Sequence, residues 1–117
     1  MPTVRVLFAC AWGISSSLLA AKVEQAASKM GLDVKVDCLA AETALGVNLK
    51  EYDAVLIGPQ VRFYQSKFEQ QAKEKGLTIP VSPVDGLLYA MADGEPVLKQ
   101  LLKDLKKIGK IPDESAK

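Results

Sequence analysis

The chain predicts an α/β fold: a three-layer sandwich with one four-stranded parallel sheet in the order 2-1-3-4. Three observations carry that prediction. Short apolar runs alternate with longer segments of helical period. Val4, Val6, Leu7 and Phe8 in the first run and Ala54 to Ile57 in the third put apolar residues on both faces, as strands covered on both sides require. The first run ends in a cysteine and a Gly/Ser turn, and the carboxyl end of a strand is where open α/β sheets place their sites.

The first strand spans 3–9, with Val4, Val6, Leu7 and Phe8 as its β-forming core. It is central because both faces are apolar. Cys10 opens the loop that follows. Gly13 permits a tight turn, and Ser15, Ser16 and Ser17 are residues of the N-cap type before a helix over 16–30. Leu18, Leu19, Val23, Ala26, Ala27 and Met30 read as its apolar face, and Gly31 as its stop. Backbone amides at a helix start lack partners and sit at the positive end of the dipole. A thiol there meets conditions that favour the thiolate and that bind oxyanions. The alternative is a small buried cysteine with a packing role.

The second strand, 33–39, alternates Val34, Val36 and Cys38 with Lys35 and Asp37, the pattern of an edge strand with one wet face. The β-α-β connection is right-handed and parallel. Residues 41–51 hold a short helical turn. The third strand, Asp53 to Gly58, leads into a Gly58-Pro59-Gln60 turn, which places Gln60 and Arg62 on the rim that carries Cys10. A helix over 63–75 uses Phe63, Phe68 and Ala72 and stops at Gly76. Thr78 to Val81 forms an edge strand that tolerates Pro80. Asp85, on the same rim, is either an acid or the cap of a helix over 86–92. The last helix, 95–108, carries a stripe of Leu98, Leu101, Leu102, Leu105 and Ile108. Lys99, Lys103, Lys106, Lys107 and Lys110 lie opposite, either solvated or facing an acidic partner or membrane surface. The domain is read as 1–110, with 111–117 as a mobile tail.

Composition narrows the chemistry. The 117 residues make one domain, 49% hydrophobic, with a net charge of +1. That balance gives no reason to expect nucleic acid. No apolar stretch has the length of a bilayer span and the N-terminus lacks the pattern of a signal peptide, so the expected location is the cytoplasm. There is no histidine, which removes Ser-His-Asp and Cys-His catalysis and histidine metal sites. Two distant cysteines give no structural zinc site. No metal or other cofactor is called for, and a nucleophile here relies on backbone dipoles.

The loop Cys10-Ala11-Trp12-Gly13-Ile14-Ser15-Ser16-Ser17-Leu18-Leu19 resembles the phosphocysteine loop of enzyme IIB components of sugar phosphotransferase systems, lactose/cellobiose type. Gly58-Pro59-Gln60-Val61-Arg62 matches a second motif of that family in the same order, and the resemblance runs nearly the whole chain. Trp12 departs from it, since that position is usually small. The resemblance implies a phosphoryl carrier. Cys10 would take phosphate from a histidine on enzyme IIA and pass it to a sugar held by the membrane permease, enzyme IIC. The loop from Ala11 to Ser17, including Trp12, Gly13, Ile14, Ser15 and Ser16, would bind the phosphate. Gln60, Arg62 and Asp85 would be rim or partner contacts, and the permease would recruit the domain to the inner membrane face. Two alternatives stand beside it. One is a hydrolase like the low-molecular-weight phosphatases, whose cysteine loop is similar but carries an arginine where Ser16 stands. The other is a thiol redox module pairing Cys10 with Cys38.

Overall fold

The computed structural model of the chain describes residues 3–11 and 13–109, without the side chains of 13–15. Strands β1 (Val4–Cys10), β2 (Val34–Ala40), β3 (Ala54–Ile57) and β4 (Val81–Pro83) form one sheet. All pairs are parallel and the order is β2-β1-β3-β4. Helices α1 (Gly13–Lys29), α2 (Ala41–Ala44), α3 (Gln65–Glu74), α4 (Gly86–Met91) and α5 (Gly94–Lys107) complete the fold, with 3-10 segments at Leu49–Glu51 and Pro59–Tyr64. The predicted fold class and strand order are both found. The segment expected to be a tail, 111–117, lies outside the described residues.

Two cores flank the sheet. Val6, Phe8, Val34 and Leu56 pack against Leu19, Val23 and Ala27 of α1 and against Leu98, Leu101 and Leu105 of α5. On the other face Leu7, Ala9, Val55 and Ile57 meet Ala41 and Ala44 of α2, Leu49, and Phe68 and Ala72 of α3. Residues 6–9 of β1 therefore alternate between two apolar layers, which is why Val6 to Ala9 read as apolar at every position.

Several boundaries differ from the sequence reading, each for a physical reason. Helix α1 starts at Gly13, three residues before the predicted start, so the serines stand inside its first turns. Leu18 and Met30 are 52% and 54% exposed, because the buried stripe Leu19-Val23-Ala27 points a different way. Phe63 falls in the 3-10 segment rather than in α3. A break at Val61 (φ −124°, ψ 27°) turns it outward, and it is 70% exposed. Strand β4 begins after Pro80, whose nitrogen has no hydrogen to donate; its carbonyl still accepts from the Val55 amide at 2.9 Å.

The wet face of β2 carries a polar cluster. Asp37 accepts from the Tyr52 hydroxyl at 2.7 Å and from Arg5 at 3.4 Å. Burial first, then this bond, push the Tyr52 hydroxyl up to about 12. At the open edge of β2 the Val36 amide donates to Glu24 of α1 at 2.8 Å. An edge N–H closed by a carboxylate is a poor template for another strand.

Glycine sets the fit between α1 and α5. A Cβ on Gly94 would stand 2.4 Å from the Lys22 carbonyl carbon and 2.5 Å from the Val23 nitrogen. The first turn of α5 therefore rests on the bare backbone of α1.

Candidate functional site

The carboxyl ends of all four strands form one rim, and Cys10 is the last residue of the central strand β1. Gly58 follows β3 directly and donates its amide to the Ala9 carbonyl at 2.8 Å. A Cβ at Gly58 would stand 3.3 Å from that carbonyl, a tight approach, and in ordinary contact with Cys10 Cα at 3.5 Å. Gly58 thus lies directly against the backbone that delivers Cys10.

Cys10 is only 2% exposed. Its thiol donates to the Leu39 carbonyl at 3.4 Å. That bond ties the sulfur to the backbone of the neighbouring strand β2. Ala11 is half-buried at the rim. Trp12 lies outside the described residues. Gly13, Ile14 and Ser15 form the helical backbone of the first turn of α1. The amides of 13–15 precede the first intrahelical bond and have no partner within the helix.

The serines divide. Ser16 is fully buried, and its hydroxyl lies 3.1 Å from the Tyr89 hydroxyl of α4. The expectation that the loop binds phosphate through Ser16 does not extend to its hydroxyl, which is committed to the interior. The Ser16 carbonyl accepts from the Cys38 thiol at 3.4 Å. Ser17 is exposed and lines a groove of about 480 Å³ with Glu24, Val36, Cys38 and Tyr52.

Gln60 and Arg62 are exposed on the 3-10 segment that leaves β3. Arg62 has no ion-pair partner among the described residues. Tyr64 packs its ring on Phe63 with centroids 4.7 Å apart and donates to Glu42 at 3.4 Å. Loss of water, then the Glu42 charge, hold its hydroxyl above the ordinary range. Asp85 is the N-cap of α4, with Oδ1 accepting from the amides of Leu87 at 2.9 Å and Leu88 at 3.2 Å. A carboxylate oxygen engaged by two backbone donors serves as a cap, and of the two roles open to Asp85 this geometry selects that one over the acid.

The thiol-pair alternative is not favoured by the geometry. Cys38 pairs with Phe8 and Cys10 with Ala40, a two-residue offset, and both cysteines are free. Each thiol has its own carbonyl partner. Burial first, then the charges of Cys10, Glu24 and Asp37, push the Cys38 thiol up to about 11, which suppresses its thiolate. The residues that sequence reasoning missed are Tyr89 and Leu39. Neither carries a local signal, since both reach the loop only through packing.

A cysteine closing the central strand of a parallel sheet, with a helix starting three residues on, defines a small α/β domain of the strand–cysteine–helix type. Within that class the particular family is shown by comparison. Residues 5–100 match the family described as the lactose/cellobiose-specific IIB subunit of the phosphotransferase system, and the chain belongs to that family. It is 33% identical over 98 residues to the oligo-beta-mannoside-specific EIIB component of Bacillus subtilis, covering 84% of this chain and 92% of that one. It is 32% identical over 99 residues to the galactose-specific EIIB component of Lactococcus lactis, covering 80% and 88%. Among solved structures, the cellobiose-specific IIB protein of Borrelia burgdorferi aligns with a TM-score of 0.70 at 27% identity, covering 91% of this chain and 94% of that one. The lactose-specific IIB domain of Streptococcus pneumoniae aligns at 0.74 and 22% identity, over 88% and 98%, and shares the fold. The chain is thus a phosphoryl-transfer component of sugar uptake that works with other components of a phosphotransferase system. The hydrolase and redox readings are not favoured.

Proposed function

We propose that Cys10 is the residue that carries the phosphoryl group. The observation that supports this most is its place as the last residue of β1, three residues before α1 begins. In the proposed reaction a phosphohistidine of enzyme IIA meets the Cys10 sulfur. The N–P bond breaks as the S–P bond forms, and the thiol proton leaves to the freed imidazole nitrogen. In the second step a sugar hydroxyl held by the permease enzyme IIC attacks phosphorus. The S–P bond breaks, the sugar O–P bond forms, and the hydroxyl proton returns to sulfur. This is the activity of a protein-phosphocysteine–sugar phosphotransferase.

Phosphoryl transfer rests on positioning and charge stabilisation. The free amides at the start of α1 are suited to the equatorial oxygens, with Ser15 and Ser17 as further candidates for that role. To react, the Cys10 thiol gives up its bond to the Leu39 carbonyl, a loss of about 0.5–1.5 kcal/mol, and turns toward the helix start. Exposed Leu18, Phe63 and Leu87 lie within the first turns that follow β1, β3 and β4, an apolar fringe suited to partner docking. Gln60 and Arg62 stand beside it, and Arg62 is placed to meet an acidic or phosphorylated partner. No described helix is long and apolar enough to cross a membrane. The proposed place of work is the cytoplasmic face of the membrane, beside the permease.

The test is incubation with phosphorylated enzyme IIA followed by mapping of the label. The expected result is phosphate on Cys10 that persists for minutes in the isolated protein. Cys38→Ser should accept phosphate, whereas Cys10→Ser should not sustain transfer to sugar. Rapid release of inorganic phosphate, or turnover of an aryl phosphate, would overturn the carrier reading in favour of a hydrolase.

A further inference from the structure

Helix α1 must present its first-turn amides at a fixed distance from Cys10, yet its apolar anchors begin late. Its first large buried apolar side chain among the described residues is Leu19, and the only buried side chain described before it is Ser16. Ser16 is also the only fully buried polar side chain among the described residues. It ties α1 to two other elements. Its hydroxyl meets Tyr89 of α4 at 3.1 Å and its carbonyl takes the Cys38 thiol of β2 at 3.4 Å.

Tyr89 is well placed to act as the fixed end of this link. Its ring stands edge-on to Phe8, centroids 6.4 Å apart and planes at 83°. Phe8 is two residues before Cys10 on the same face of β1 and is 1% exposed. Tyr89 therefore takes its position from the strand that delivers the cysteine. Its hydroxyl passes that position to the helix turn that follows the cysteine. Helix α4 has no fully buried residue of its own. Leu88 and Tyr89 are its contacts with the core, and the Asp85 cap sets its start one turn before Tyr89.

From this arrangement we infer that Tyr89, acting through the Ser16 hydroxyl, is a positioning residue that holds the first turn of α1 against the Cys10 strand for phosphoryl transfer. The inference rests on the proposed role of Cys10. Tyr89 touches neither the sulfur nor the transferred group. Removing its hydroxyl leaves the Ser16 hydroxyl buried without a partner, and such a group seeks a new one by moving the turn that carries it. A misplacement of well under 1 Å at a site that works by positioning lowers the rate of the chemical step more than it lowers affinity.

The experiment measures transfer from phosphorylated enzyme IIA to wild type, Tyr89→Phe, Ser16→Ala and the double variant, with thermal melting of each. Tyr89→Phe removes one oxygen and keeps the ring on Phe8; Ser16→Ala removes the other oxygen without touching α4. Each single variant is expected to lower kcat about 10-fold, with KM for the donor changed less than about 2-fold. The double variant should lie within about 2-fold of the singles, because the two hydroxyls act as one pair. A second readout, the rate of iodoacetamide alkylation at Cys10 at fixed pH, should change by at least about 3-fold in both singles. Variants that melt lower but transfer at the wild-type kcat would overturn the inference in favour of a purely structural bond. Multiplicative losses near 100-fold in the double variant would also overturn it, since the residues would then act independently. Absence of label at Cys10 in wild type is a different failure: it would remove the carrier reading itself.

Discussion

Gly94→Ala tests the packing on which the site's helix depends. The added Cβ would stand 2.4 Å from the Lys22 carbonyl carbon, 2.5 Å from the Val23 nitrogen and 2.6 Å from the Lys22 oxygen. Carbon atoms in contact settle at about 3.5–4.0 Å, so α1 and α5 must part by roughly 1 Å. All three obstacles are backbone, and none can swing aside as a side-chain tip would. Parting loosens Val97, Leu98, Leu101, Leu102 and Leu105, all buried, and a gap of about 0.5–1 Å forfeits roughly a quarter to a half of each contact's attraction. Overpacking of this kind costs about 1–3 kcal/mol. Replacing glycine returns about 0.4–1 kcal/mol through the unfolded chain. The net expectation is a loss of about 1.3 kcal/mol. At ~2.1 cal/mol/K per residue the unfolding entropy is on the order of 0.25 kcal/mol/K, so the melting point should fall by roughly 5 °C.

Gly86→Ala is the matched control. Gly86 also opens a helix after an aspartate, has no positive φ, and has nothing within 4 Å of its added Cβ. It should melt about 2–4 °C higher than wild type. Calorimetry or far-UV melting of both variants reads the difference. Were Gly94→Ala to melt level with Gly86→Ala, close backbone contact would not be what limits the approach of α1 and α5.

Other outcomes follow from the site and its surroundings. Arg62→Ala should shift stability by no more than about 0.5 kcal/mol, because the side chain is exposed, while slowing transfer from enzyme IIA several-fold; unchanged transfer kinetics would remove Arg62 from the partner surface. Glu24→Ala should cost about 1 kcal/mol by freeing the Val36 amide, and should increase self-association in light scattering by uncovering the β2 edge. The alkaline limb of stability should carry Cys38 and Tyr52. Both are acids raised by folding, from 9.0 to about 11 and from 10.0 to about 12. Their protonated forms are thus favoured in the native state, and their contribution is complete below pH 9–10 and lost as pH rises through 11–12. Urea midpoints at pH 8 and pH 11 should converge most in a Cys38→Ala, Tyr52→Phe double variant. At neutral pH the Cys38 thiolate is about one part in ten thousand, so iodoacetamide should label it very slowly.

Much of this protein is written in periodicity. A strand with apolar residues on both faces belongs inside a parallel sheet, and Val6 to Ala9 and Ala54 to Ile57 could be placed there from residue types alone. The stripe of leucines from Leu98 to Leu105 specified one docking face of α5, and Cys10 at the end of the first run specified where the chemistry would be sought. The missing histidine narrowed that chemistry by composition alone. These features are local: each depends on side-chain identity, most of them at spacings of one to four residues.

The tertiary structure alone decided where individual polar groups point. Ser15, Ser16 and Ser17 are equivalent as a string of hydroxyl residues. Burial of the Leu19-Val23-Ala27 stripe turns the second of them inward, to a tyrosine 73 residues away in sequence. The same rotation leaves Leu18 in solvent, and the break at Val61 does so for Phe63. Asp85 had two readings by sequence, and the arrival of the Leu87 and Leu88 amides at its carboxylate selected the cap. No local pattern marks Gly94; only the approach of a second helix backbone, 2.4 Å from where a Cβ would stand, gives it a role. Such contacts join residues far apart in the chain, and their partners are set by how whole elements pack, which no short-range pattern encodes.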